Sequence, residues 1–352
     1  MEGINLEKEE NTNKNIGNMA RKANSLFLLI VLISVCANMF ASIVRVKGIA
    51  IPIVPNLLIS QMVIVVPGLI YYVCISKTHM PFTMYKKIRP VSILLLVVFT
   101  WLIEPLISAI NLFSQLFTSN EVLKISSEVL ELPIVPMIFI MGILGPFCEE
   151  FVFRGLIYNS LKCGTGRYLA SGIVSALFFG LMHMNFNQFC YAFVLGVVFA
   201  AINEMLDSTW PSFVCHAVVN TQNVLLLYTV SFMTEKLSGD GIGEFDIASA
   251  ANTVTSGNKI FLVVMFVGLF MVSVVTTSIA GLLLYGICSL EGKTDSFKLF
   301  FKFKNNKKMH DEEDTAEKSQ RKKVLYFTGC LAMSFCIFVI FFLEPIINII
   351  KK

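Results

Sequence analysis

Two adjacent carboxylates, Glu149 and Glu150, stand in GPFCEEFVFRGL at 145–156, near the end of an apolar run that begins around Met137, and Arg154 follows four residues after Glu150. Charged side chains in hydrocarbon cost several kcal/mol unless they are paired or face a wet cavity, so their presence marks function. On a helix, Glu150 and Arg154 share one face and form an internal ion pair. Glu149, about 100° away around the helix, is left without that partner. The two acids then divide into roles: Glu150 structural or orienting, and Glu149 free to exchange a proton with a base across a cavity.

Two histidines on neighbouring apolar stretches can be that base, His183 in ALFFGLMHMN and His216 in WPSFVCHAVVN. The chain holds four histidines, and the other two, His79 and His310, fall in polar connections. Asn220 lies four residues after His216, on the same helix face. A histidine and an asparagine side by side can present two hydrogen-bond donors to a developing oxyanion. Their helix has a clear start: Ser208 or Thr209 caps it, Trp210 suits the headgroup level and Pro211 fits the first turn.

The elements that position these residues follow from composition. The 352 residues are 55% hydrophobic and 15% charged, against roughly 25% charged in soluble globular proteins. Stretches of about 20 apolar residues, enough to cross a bilayer, recur at 24–44, 54–75, 91–113, 134–160, 168–185, 188–206, 210–230, 260–288 and 324–348. Each must satisfy its own backbone hydrogen bonds in lipid and is too continuously apolar for an alternating barrel strand. The expected fold is therefore all-α, a polytopic membrane protein of about nine transmembrane helices. Its catalytic core is four helices, at 134–230.

Around that core the expected divisions are a charged, disordered cytosolic tail at 1–23, N-terminal transmembrane helices at 24–133, an outer loop at 231–259 and C-terminal helices at 260–352 with a cytosolic linker at 291–323. No small-residue cleavage pattern follows the first apolar stretch, which is read as a permanent helix. With the N-terminus cytosolic, twenty of the 28 Lys and Arg residues lie on the cytosolic side, as the positive-inside rule asks. The expected location is the cell membrane.

The nine cysteines lie almost wholly in apolar stretches without a CxxC pair, as small buried hydrophobes rather than a metal site or disulfide framework. Glu104–Pro105 and Glu344–Pro345 occupy similar frames, which proline kinks and near-interface carboxylates explain. No Gly-rich phosphate loop occurs, and no cofactor, metal or nucleic-acid partner is expected.

EEFVFR at 149–154, FGLMH at 179–183 and HAVVN at 216–220 match, in order and spacing, the motifs EExxxR, FxxxH and HxxxN. On these the core resembles the CAAX protease and bacteriocin-processing (CPBP) family of intramembrane glutamic endopeptidases. The resemblance implies that Glu149 and His183 activate a water for attack on a peptide carbonyl. It further implies that His216 and Asn220 form the oxyanion hole, that Glu150 and Arg154 support the site and that Phe179 shapes its wall. The implied substrate is a membrane-associated peptide or protein, lipidated or amphipathic.

Depth poses a problem for this constellation, because His216 lies about two turns from the start of its span and His183 about four turns from the start of its own. Two rival readings stay open. One glutamate and two histidines could hold zinc in a membrane protease. Alternatively, the same groups could line a proton or ion path in a non-catalytic transporter or immunity protein.

Overall fold

The computed structural model describes residues 2–76, 86–118, 125–238 and 259–301, all within helices and their connections. Seven helices are long and apolar enough to cross a membrane, and Tyr168–Met182 is a shorter apolar one. We number them α1 (Glu2–Val46), α2 (Ile53–Ser76), α3 (Pro90–Gln115), α4 (Ile134–Thr165), α5 (Tyr168–Met182), α6 (Phe186–Leu206), α7 (Trp210–Ser238) and α8 (Lys259–Leu290). They overlap eight of the nine expected spans, with α1 beginning well before and α7 ending well after theirs. The ninth, 324–348, lies outside the described residues, as do Glu344 and Pro345.

Three expectations are corrected. The tail at 1–23 is not structureless, since α1 runs unbroken from Glu2 through a stretch of helix-favouring Glu, Lys, Met and Ala without proline. Its last turns are packed: Met19, Ala20 and Ala23 are buried, and Gly164 of α4 comes so close that a Cβ there would stand 2.7 Å from the Ala20 backbone nitrogen. The outer loop does not start at 231, because α7 continues to Ser238, where the first helix-breaking residue, Gly239, follows. Finally, α5 ends at Met182 rather than 185.

That early end has a local cause. Met184 adopts a left-handed φ of 54°, which turns the chain directly into α6. Asn185 caps α6 by accepting from Gln188 N at 2.8 Å, while its Nδ2 donates to the His183 carbonyl at 2.8 Å. His183 thus sits on a three-residue turn strapped from both sides.

The second unexpected feature is in α4, which is not uniformly α-helical. It passes into π-helix over Ile138–Leu144 and again over Phe151–Tyr158, with α-helical Gly145–Glu150 between. Such wide turns loosen the backbone ladder and gather at functional sites. Side chains from α5 and from the next turn of α4 bond the carbonyls of the second π segment: Ser175 Oγ donates to Phe153 O at 2.9 Å, and Asn159 Nδ2 to Arg154 O and Gly155 O at 3.2 and 3.0 Å. In a membrane interior, where water offers no alternative partner, such bonds are needed for the distortion to persist.

Around α4, α1 and α5 pack through Phe27 stacked on Phe178 at 4.0 Å, α5 and α6 form an antiparallel hairpin, and α8 lies along α3. Phe113 meets Phe266 at one end of the α3–α8 pair, and Glu291 accepts from Ser92 Oγ and Arg89 N at the other. Outward faces are apolar, as with Phe40, Leu94 and Leu282, which suits lipid rather than water as their solvent.

Candidate active site

Four ionisable side chains from α4 and α7 meet in the interior. Arg154 Nη1 stands 3.0 Å from Glu150 Oε1, with both side chains almost wholly buried. The pairing expected between positions 150 and 154 is therefore present, although the chain between them has already entered the π segment. The same Glu150 oxygen is 2.9 Å from His216 Nδ1. Across the ring, His216 Nε2 is 3.7 Å from Glu149 Oε2. His216 therefore lies between the two carboxylates.

Aromatic rings enclose the cluster. The Arg154 guanidinium lies over the Phe179 ring at 4.2 Å and faces Phe199 at 5.3 Å, within the range of cation–π attraction. Phe179, which is buried, meets His183 edge-on at 5.2 Å and His216 at 5.7 Å. The two histidines flank one phenyl ring, so the depths that disagreed on a count of helical turns converge in the folded bundle. The placement of His183 in the turn after α5, instead of within the helix, contributes to this.

Not every expected pairing forms. Glu149 has His216 as its close imidazole partner, and no ion pair joins it to His183 among the described residues. Asn220 does follow His216 along α7, and its Nδ2 donates to the main-chain carbonyl of Met141 at 3.1 Å. Ser208 Oγ accepts from Trp210 N at 3.4 Å at the start of α7, as the capping pattern predicts. Sequence reasoning missed Phe199, one apolar residue among many, and the Met141 carbonyl, which only the π register of α4 exposes.

The start of α7 and the end of α6 tie the site to one face of the bundle. Lys86 bonds Asp207, Lys162 reaches Glu204 at 2.8 Å, and Lys293 donates to the Leu206 carbonyl. A small polar cavity lined by Arg154, Tyr158, Asn203 and Glu204 lies between this basic rim and the cluster. Among the described residues, no group of three or more His, Cys, Asp or Glu side chains is arranged to hold a metal ion.

The geometry has a direct chemical reading. Glu150, salt-bridged to Arg154, is an acceptor, so the bond from His216 fixes a proton on Nδ1. Nε2 is then the atom that addresses Glu149. A separation of 3.7 Å exceeds a direct hydrogen bond and suits a shared small polar molecule.

One comparison with known proteins falls on this segment. Residues 131–222 match the family model described as type II CAAX prenyl endopeptidase Rce1-like. The Bacillus subtilis (strain 168) protein named "Putative membrane peptidase YdiL" is 29% identical over 90 residues, 26% of this chain and 36% of that protein's own length. The Lactococcus lactis protein named "UPF0177 protein YxdF" is 28% identical over 131 residues, 36% of this chain and 70% of its own length. No solved structure gives a significant match. The matched span begins before the first π segment and ends just after Asn220, enclosing all three motifs. Within this polytopic membrane protein, residues 131–222 are thus similar to the Rce1-like family model, and that similarity covers the three motifs and not the remainder of the chain.

Proposed function

We propose that the protein is an intramembrane endopeptidase of the glutamic type, hydrolysing a peptide bond in a membrane-associated peptide or protein. The observation that carries this reading is His216 held between Glu149 and Glu150 inside an apolar bundle, in the segment that matches the CAAX endopeptidase family.

Glu149 acts as general base. It takes a proton from a water that His183 helps to orient, and the resulting hydroxide attacks the scissile carbonyl carbon. Negative charge moves to the carbonyl oxygen, where His216 Nε2–H and an Asn220 N–H donate to it. Collapse of the tetrahedral intermediate breaks the C–N bond, and Glu149 returns its proton to the departing amine. Glu150 and Arg154 hold the His216 ring, and Phe179 sets the spacing of the two imidazoles.

The N-terminus is cytosolic in this proposal, which places the rim of Lys86, Lys162 and Lys293 at the inner headgroups. A cavity in the bilayer admits chains that already partition there, so the substrate is an amphipathic or lipidated peptide. The test is incubation of the purified protein in lipid vesicles with paired prenylated and unlipidated peptides, products being identified by mass. Endoproteolytic products from the membrane-bound peptides are expected. A pure, folded preparation that cuts neither class would overturn the reading.

A further inference from the structure

In a π-helix each N–H bonds the carbonyl five residues earlier, and Gly145 N–H does so, to Ile140 O. The next rung would join residue 146 to the Met141 carbonyl. Residue 146 is proline, which has no N–H. The α-type donor to Met141, the Gly145 N–H, is already committed to Ile140. Met141 is therefore left with a carbonyl that neither ladder can fill, in a setting where an unfilled backbone acceptor is costly. Asn220 Nδ2 fills it at 3.1 Å.

A second feature serves the same bond. A Cβ on Gly142 would stand 2.4 Å from Thr221 Oγ1 and 3.2 Å from the Thr221 Cα. Glycine at 142 is what lets α7 approach α4 closely enough for the neighbouring Asn220 to reach the Met141 carbonyl.

We infer that Pro146 is a positioning residue: by withholding an N–H from Met141 it creates the acceptor that orients the Asn220 side chain. The primary amide carries two hydrogens. With one given to Met141, the carboxamide plane is fixed and the other N–H has a set direction for the oxyanion. This rests on the oxyanion role proposed above for Asn220, and it adds a reason for a proline three residues before the catalytic glutamate. Pro146 touches no reacting atom and acts only through Asn220.

Pro146→Ala supplies the missing N–H, which competes with Asn220 for Met141. Its kcat should fall by about 10- to 100-fold, as for a misplaced catalytic group. KM should stay near wild type, and thermal stability should hold or rise because a rung is restored. Combined with Asn220→Ala, it should add nothing to the loss from Asn220→Ala alone. Pro146→Ser, which also restores the N–H, serves if the alanine variant folds poorly.

A measurement independent of turnover separates this inference from the proposed function. The Asn220 side-chain amide, assigned in 15N spectra by its absence from Asn220→Ala, should show one slowly exchanging hydrogen in the wild type and two fast ones in Pro146→Ala. That result supports the positioning role even if the protein cuts no peptide. An Asn220 signal identical in both proteins, or kinetic losses that multiply in the double variant, would overturn it.

Discussion

His216 Nδ1 lies 2.9 Å from Glu150 Oε1 while its Nε2 lies 3.7 Å from Glu149 Oε2, so one imidazole from α7 addresses two consecutive carboxylates of α4 by opposite ring atoms. The short contact fixes the ring, and the longer one leaves room for chemistry.

Removing the anchoring acid should damage fold and rate together. Glu150→Gln strands the Arg154 guanidinium among Phe179 and Phe199, and breaking a buried pair in this way costs about 3–5 kcal/mol. Replacing both partners, as Glu150→Gln with Arg154→Met, should cost less than the sum of the single changes. Unfolding curves in mixed micelles measure both quantities.

Removing a donor should spare the fold and slow the reaction. His216→Ala and Asn220→Ala should each lower kcat by about 100-fold or more, with unfolding curves shifted far less than in Glu150→Gln. Steady-state kinetics on one cleaved peptide checks this.

Phe179 separates the two histidines, and its truncation should be felt by both. Phe179→Ala should destabilise the bundle by about 3–5 kcal/mol and reduce turnover, whereas Phe179→Leu should retain more of each. Comparing the two by thermal unfolding and by kcat distinguishes a ring that spaces the imidazoles from one that merely fills volume.

A zinc-dependent reaction and a glutamate-driven one respond differently to chelation. We expect kcat/KM to persist after exhaustive treatment with a strong chelator in metal-free buffer. Loss of activity restored stoichiometrically by zinc would favour the metal reading.

The seven helices long and apolar enough to cross a membrane, and the shorter α5, were legible because hydropathy and end signals are local: Pro90 opens α3, and Trp210 with Ser208 opens α7. The candidate site was legible for a related reason, since Glu149, Glu150, Arg154, His183 and His216 are ionisable groups in an otherwise apolar setting. Their pairing was less so. Helical spacing identified Glu150 with Arg154, but which histidine faces Glu149 depends on where α5 stops, and that is set by the turn at Met184 and the Asn185 strap. The π segments left no periodic signature because their carbonyls are satisfied from other turns and helices, by Ser175, Asn159 and Asn220. Pro146 was visible in the sequence throughout, and its consequence became apparent only once the ladder around it was known.

The central claim is that Glu149 readies the attacking water. Its most direct test is kcat/KM for Glu149→Gln against wild type in the same lipid vesicles, with helix content and unfolding measured alongside. We expect cleavage to fall by at least about 1,000-fold, the scale of losing the base from a hydrolytic site, while the fold is retained. Near-wild-type cleavage by the folded variant would contradict the account.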